Sequence, residues 1–95
     1  MQVDVARVGG ITPWLKVAHM AESFNVKVCP HFLMEIHVSL AAAIPNGLYV
    51  EHIPQLRGVT KSEIKIEKGM ALAPTSVGLG IDWDFDAIEN KRVKI

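Results

Sequence analysis

Three polar residues stand where short strand-like runs of the sequence end. Asp4 lies near the end of the first run, His31 directly follows the second, and Glu51 closes the third. In a parallel α/β layout these positions share the carboxyl edge of the sheet, where open sheets and barrels keep their reactive groups. A carboxylate that accepts the Nδ1–H of a histidine fixes its tautomer and favours the imidazolium, which suits proton transfer near neutral pH. The pattern therefore predicts a site for general acid–base chemistry.

Each of the three residues also has a plainer interpretation. A single histidine after a strand is by default a structural residue, Asp4 alone would suit a loop cap, and Glu51 alone a solvated strand end. We favour the functional interpretation because an imidazole and two carboxylates share one position relative to their strands. The other histidines lack such neighbours, and we expect structural roles for all of them: His19, His37 and His52.

The runs between these residues predict an alternation of strands and helices. The predicted elements are strands over residues 1–5, 26–29 and 48–52, and helices over residues 13–24 and 32–43. For the first helix, Thr12 is the expected N-cap, Pro13 the first helical residue and Asn25 a left-handed C-cap. Connections this short require right-handed crossovers and a parallel sheet, so the fold class is α/β.

The sequence pattern changes after Pro54. Residues 63–67 alternate with a period of two, Lys68-Gly69 supplies a turn, and residues 70–73 return as a second strand. This pattern predicts an antiparallel hairpin, followed by a short helix beginning near Asp86. We therefore divide the chain into residues 1–57, which carry the alternation, and residues 58–95, which form a hairpin and tail.

Composition narrows the classes of partner and compartment. Ten basic and ten acidic residues cancel without clustering, which argues against nucleic acid or an anionic membrane as a partner. The most apolar stretch, residues 32–44, is too short to span a bilayer. Cys29 is the only cysteine, so no internal disulfide forms and a cytoplasmic location is the default. A hydrophobic content of 49% indicates elements buried on both faces, or a chain that needs a partner.

Other ligand motifs fail on their spacing. His31 and Glu35 are four residues apart, but neither a His-Glu-x-x-His motif nor a cysteine partner accompanies them. Asp82, Asp84 and Asp86 resemble the start of a calcium loop that then lacks its glycine and its final acid. Gly78 and Gly80 lack the third glycine and the preceding parallel strand of a dinucleotide-binding motif. The sequence alone therefore supplies no metal or nucleotide motif.

Longer stretches around the three polar residues resemble one enzyme family. The segments that carry the likeness are Asp4, Arg7–Thr12, Pro30–Phe32, Met34-Glu35, Val50–His52 and the tail from Pro74 through Gly78–Ile81. Together they are similar to the last three barrel strands of the enolase superfamily, in its mandelate racemase and muconate lactonizing enzyme branch. The intervals from Asp4 to His31 and from His31 to Glu51 also resemble those of that branch.

The resemblance implies a fold and a chemistry. It implies the C-terminal segment, about three of eight β/α units, of a (β/α)₈ TIM barrel, with a hairpin tail that returns to a capping domain. It further implies bound Mg²⁺ and abstraction of the proton α to a carboxylate, most similar to acid-sugar dehydratases (lyases) or racemases (isomerases). By the same likeness His31 is the general acid/base, Asp4 its dyad partner, and Glu51 a hydrogen-bonding partner of the substrate carboxylate.

The resemblance also implies what this chain lacks. The family's metal ligands and a second, lysine base lie on earlier barrel strands, and a TIM barrel needs about 250 residues. We therefore expect the isolated chain to be inactive and to need the remainder of the barrel and the capping domain, within a homo-oligomer that acts on a small carboxylate or acid sugar. The alternative is a self-contained, non-catalytic α/β interaction module.

Overall fold

A computed structural model describes residues 1–94 of the chain. Its regular elements, in chain order, are α1 (Ile11–Ser23), α2 (Met34–Ala43), a 3₁₀ turn (Arg57–Val59), β1 (Ile66–Glu67), β2 (Met70–Ala71) and α3 (Phe85–Asn90). Among the helices of these residues, none has both the length and the apolar character needed to cross a bilayer.

Three extended segments lie side by side and run parallel. The middle segment bonds the first through Cys29 N–H to Met1 O (2.9 Å) and His31 N–H to Val3 O (3.1 Å). It also bonds the third through a parallel bridge between Val28 and Gly47. The parallel arrangement agrees with the sequence prediction, but regular strands over residues 1–5, 26–29 and 48–52 do not form within the described chain. Among residues 1–94, the first and third segments each have a hydrogen-bonded neighbour on one side only, so each forms only part of a ladder.

Helix α1 begins earlier than the sequence predicts. Gly10 is its N-cap, and both Gly9 (φ 95°) and Gly10 (φ 119°) adopt conformations that favour glycine. The prediction of Thr12 as N-cap is wrong, because this glycine pair turns the chain into the helix before Thr12 is reached. The C-terminus follows the prediction: Asn25 has φ 57°, and Val26 N–H donates to Ala21 O, as in a Schellman motif.

Helix α2 begins at Met34, two residues later than predicted. Phe32 (φ 66°) and Leu33 (φ 32°) both occupy the left-handed region, so neither extends the helix. Such values are uncommon for bulky side chains and cost on the order of 1–3 kcal/mol each. The strained pair directly follows His31, which places an unusual turn beside one of the predicted site residues.

The core is built by the first half of the chain. Helix α1 packs against the extended segments through one cluster of buried side chains: Val3, Val5, Trp14, Ala18, Ala21, Val28, Leu40 and Ile44. Within the described chain, no residue after Asn46 is buried. The indole N–H of the fully buried Trp14 donates to Val3 O (3.1 Å). The core thus fixes the backbone immediately before Asp4.

The tail forms a short hairpin and a short helix. Strands β1 and β2 pair antiparallel, with Ile66 opposite Ala71, and are shorter than the predicted runs over residues 63–67 and 70–73. Lys68 (φ 50°) and Gly69 (φ 75°) make the turn at the predicted place. Helix α3 begins at Phe85, one residue before the predicted start, because the Asp84 carboxylate caps Ala87 N–H at 3.0 Å. The last residue of the predicted tail, Ile95, lies outside the described residues.

Candidate active site

Asp4 and His31 meet at the ends of the first two extended segments. The Nδ1 atom of His31 lies 3.0 Å from Oδ2 of Asp4. Because an ionised carboxylate only accepts hydrogen bonds, the proton of this contact sits on Nδ1. The parallel pairing of the two segments, through His31 N–H and Val3 O, sets this distance. Nε2 is then the ring nitrogen left to exchange a proton with another molecule.

The environment of Asp4 favours its ionised form. Burial of the side chain, which is only 7% exposed, by itself raises the pKa of the carboxyl. Hydrogen bonds from the His31 side chain and from the backbone at Ala6 and Arg7, together with the charge of His31, outweigh burial and hold the pKa of Asp4 below its ordinary value. The Arg7 guanidinium adds a contact of 3.5 Å, but its side chain is largely exposed and solvent screens it.

Glu51 contacts the residue after His31 rather than His31 itself. Its Oε2 atom accepts a hydrogen bond from Phe32 N–H at 2.9 Å. The side chain is half-buried. One carboxylate oxygen is therefore committed to the strained turn at Phe32, and the other is left for a further partner.

The imidazole of His31 is held but accessible. Its side chain is 40% exposed, and its ring stacks on that of Phe32 with centroids 5.8 Å apart and planes tilted by 21°. A groove of about 470 Å³ runs beside it, lined by residues that include Asp4, Arg7 and Val17. The ring is thus restricted on one side and open to a ligand on the other.

A fourth residue of this region was not anticipated as part of the site. His37 of α2 is fully buried, in agreement with the structural role expected of it. Its Nε2 atom accepts the N–H of Val5 at 3.0 Å, and its Nδ1 atom lies 2.6 Å from the carbonyl oxygen of Phe32. The only hint in the sequence is a histidine set among apolar helix residues, which does not reveal these partners.

The remaining two histidines are both exposed. His19 is exposed on α1, 3.5 Å from Glu22, and His52 is exposed after the third segment. His31 and Glu35 do not pair as zinc ligands. Glu35 is buried, and its Oε1 atom accepts Leu56 N–H at 3.1 Å. Its Oε2 atom has no hydrogen-bond partner among the described residues.

The described residues do not fit a magnesium ion. Across residues 1–94, no group of three or more His, Cys, Asp or Glu side chains converges in a way that could hold a metal. The carboxylate that contacts His31, that of Asp4, already accepts hydrogen bonds from His31 and Ala6. Hard cations such as Mg²⁺ need several oxygen ligands, so the described residues alone do not build such a site.

Comparison with known proteins places this geometry in a family. Residues 1–87 match the family described as Enolase C-terminal domain-like. The L-talarate/galactarate dehydratase of Salmonella typhimurium is 36% identical over 80 residues, which cover 84% of this chain and 20% of that enzyme.

Solved structures give the same picture. The L-talarate dehydratase of Polaromonas sp. JS666, complexed with Mg and L-glucarate, superposes with a TM-score of 0.86 and 43% identity over 93% of this chain and 25% of that one. A mandelate racemase/muconate lactonizing enzyme from the same organism superposes with a TM-score of 0.84 and 44% identity. That match covers 90% of this chain and 24% of that one. The chain thus spans about a fifth to a quarter of the length of these relatives. It belongs to the enolase C-terminal domain-like family, in the mandelate racemase and muconate lactonizing enzyme branch of the enolase superfamily.

Proposed function

We propose that this chain is the C-terminal part, about the last three β/α units, of a barrel enzyme that abstracts the proton α to a carboxylate, most simply an acid-sugar dehydratase. The observation that carries the proposal is the Asp4–His31 contact of 3.0 Å at the ends of two parallel segments. It commits Nδ1 of an accessible imidazole to a buried carboxylate and leaves Nε2 for chemistry. The chain's similarity to dehydratases supports the choice of reaction.

In the proposed reaction His31 moves one proton in two steps. Its neutral Nε2 removes the proton α to the substrate carboxylate, and the ring becomes an imidazolium. The same nitrogen then gives that proton to the departing β-hydroxyl, which leaves as water and restores the neutral ring. The ionised Asp4 stabilises the imidazolium between the two steps, as a carboxylate partner of histidine does in other acid–base sites. A racemase would share the first step and return the proton to carbon instead.

We propose that Glu51 hydrogen-bonds the substrate carboxylate. The contact between its Oε2 and Phe32 N–H fixes the side chain and leaves Oε1 for the substrate. An ionised carboxylate only accepts hydrogen bonds, so this role requires the carboxylic acid form of Glu51, which donates its O–H to the substrate carboxylate.

Further parts of the proposal concern protein outside this chain. Mg²⁺, present in the talarate dehydratase complex, would be held by residues that residues 1–94 do not include, since these contain no suitable cluster. Residues 1–57 would then complete a barrel, and residues 58–95 would pack on the barrel and capping region of a homo-oligomer. The single cysteine, which forms no internal disulfide, supports a cytoplasmic location.

The test is a His31→Asn substitution in the complete protein that contains this chain. We expect wild-type protein to exchange the α-proton of an acid sugar such as L-talarate or galactarate with solvent deuterium, as followed by NMR. We expect the variant to lose at least about 100-fold in exchange and in dehydration, the usual contribution of a positioned acid–base group. His19→Asn, an exposed histidine on α1, is the matched control and should leave both rates unchanged. Full activity of His31→Asn would refute the proposed role.

A further inference from the structure

The buried His37 joins the two chain segments that carry the proposed acid–base pair. Its partners are Val5, the residue after Asp4, and Phe32, the residue after His31. The two segments are otherwise linked near the site by His31 N–H to Val3 O and by the Asp4–His31 contact itself. One imidazole ring therefore clamps both loops one residue beyond their functional side chains.

The partners of His37 determine its protonation state. A carbonyl oxygen only accepts, so the 2.6 Å contact to Phe32 O requires a proton on Nδ1. A backbone N–H only donates, so the 3.0 Å contact from Val5 requires a bare Nε2. His37 is consequently the neutral Nδ1–H tautomer. The other tautomer or the imidazolium would set an N–H against the N–H of Val5 and leave a buried donor unpaired.

The surroundings of His37 leave the clamp little freedom. The residue is fully buried, and its ring lies beside that of Trp14, with centroids 5.9 Å apart. Trp14 in turn holds Val3 O on the other side of Asp4. At the second loop, Phe32 is fixed at both backbone groups, its N–H by Glu51 and its C=O by His37, in a left-handed conformation that needs such support.

We propose that His37 is a positioning residue: as a neutral Nδ1–H imidazole it holds the loops after Asp4 and His31 at the separation that the Asp4–His31 hydrogen bond requires. It touches no substrate and exchanges no proton. This inference rests on the proposed function of the pair, but the clamp itself is a statement about geometry and tautomer. Misplacing a reacting group by about 1 Å can cost on the order of 100-fold in rate, so a residue behind the pair can matter to catalysis.

The first test reads the clamp without any reaction. With ¹⁵N-labelled histidine in the complete protein at neutral pH, His37 should show a protonated Nδ1 and an unprotonated Nε2. A downfield proton of the His31–Asp4 hydrogen bond should be visible in the wild type and lost in His37→Phe. An Nε2–H tautomer or an imidazolium at His37 would overturn the proposal, even if the enzyme proved to have another activity.

The second test uses two variants that each keep one half of the clamp. The His37→Asn amide can still donate to Phe32 O, and the longer His37→Gln amide can still accept from Val5 N–H. We expect each to lower kcat by about 10- to 100-fold, with KM within about threefold, and His37→Phe to lower it further. His19→Gln, on the exposed face of α1, should behave as wild type.

A double-mutant cycle separates positioning from general loss of structure. If His37 acts through the pair, His37→Gln should cost less than about threefold in kcat when Asp4 is already Asn. If the kcat losses of His37→Gln and Asp4→Asn simply multiply in the double variant, the proposal is overturned. Unchanged kcat in both His37→Gln and His37→Asn would overturn it as well. If wild-type protein shows no proton exchange at all, the proposed function fails, and the tautomer measurement still decides the clamp.

Discussion

Asp4 combines two properties that usually oppose each other, since it is buried and favours its charged form. Burial alone would raise the pKa of its carboxyl, yet the donors from His31, Ala6 and Arg7 hold it below the ordinary value. Burying a charged carboxylate costs free energy unless hydrogen-bond donors compensate for the lost water. Replacing buried ionic groups by well-packed apolar residues is often neutral or stabilising, so a buried carboxylate here fits a role in proton transfer better than a role in packing.

The lowered pKa of Asp4 predicts how stability responds to acid. The unfolded carboxyl binds its proton near pH 3.8, whereas the folded one binds it at a lower pH. Between these values the unfolded chain holds more protons, so the free energy of unfolding rises with pH in this window and levels off above it. Urea denaturation of the chain between pH 2 and 6, at low protein concentration, should show the free energy of unfolding falling as the pH drops below about 4.

The Asp4→Asn variant provides the comparison for that measurement. It lacks the titrating group, so its urea midpoint should change less with pH over the same window and should lie below the wild-type value near neutrality. Parallel pH profiles for the two proteins would show that Asp4 does not carry the effect.

The site residues differ in how far sequence could predict them. Asp4, His31 and Glu51 are visible because each ends a strand-like run, and parallel segments bring such ends to one edge. The structure shows Asp4 against His31, but Glu51 against the backbone of Phe32. The contacts of His37 could not be predicted, because they depend on a left-handed turn at Phe32 and on a loop 32 residues earlier.

At the scale of elements, glycine and asparagine signals predicted ends better than helical periodicity did. The Asn25 C-cap and the Lys68-Gly69 turn lie where predicted, since their positive φ angles suit those residue types. The start of α2 was misplaced because Phe32 and Leu33 continue its apolar pattern while adopting non-helical angles. Tertiary hydrogen bonds to Phe32 impose that turn, and these cannot be predicted from local helix propensity.

The turn that leads from α2 into the third segment depends on one glycine for space. A Cβ atom added at Gly47 would overlap the carbonyl oxygen of Ala41 and lie 3.2 Å from Cγ1 of Ile44. The backbone here bends back against the end of α2, and Gly47 also makes the parallel bridge to Val28. The close approach, rather than an unusual φ angle, is what requires glycine at this position.

Gly47→Ala should therefore destabilise the chain by about 1–3 kcal/mol, the usual cost of forcing an extra carbon into a packed site. Gly58→Ala is the matched control, because a Cβ there would meet Lys91 Cε at an ordinary 3.6 Å. Its effect should stay within about 0.5 kcal/mol. Denaturant unfolding of the three proteins measures both values, and equal stabilities for Gly47→Ala and Gly58→Ala would contradict the steric argument.

At the scale of the whole molecule, the chain has more accessible surface and a larger radius of gyration than a compact protein of its size. Its accessible surface is 6761 Å², whereas a compact monomer of 10.4 kDa has about 5,400 Å². Its radius of gyration is 14.4 Å, against roughly 12 Å for a compact domain of this length. The excess surface is more than the roughly 800 Å² that one partner buries in a standard interface, which supports the proposal that further protein covers part of this chain.

The exposed surface is also of the kind that interfaces bury. Large apolar side chains are exposed along the chain, among them Phe24 (75%), Tyr49 (70%) and Val77 (100%). The third extended segment bonds the middle one through Leu48 N–H, and the backbone N–H of Tyr49 has no hydrogen-bond partner among the described residues. An unpaired edge beside exposed apolar residues is a template for pairing with another chain.

We therefore expect the isolated chain to self-associate in a concentration-dependent way, which sedimentation velocity measures. Tyr49→Lys should shift it towards monomer, because a charge at a strand edge opposes pairing. Ser76→Lys adds the same charge in the exposed tail, away from the edge, and should leave association unchanged. A wild-type chain that stays monomeric at every concentration tested would instead support a self-contained module. Association that responds equally to the two lysines would mean that general charge governs it, and the free edge would then not be the surface that the rest of a barrel covers.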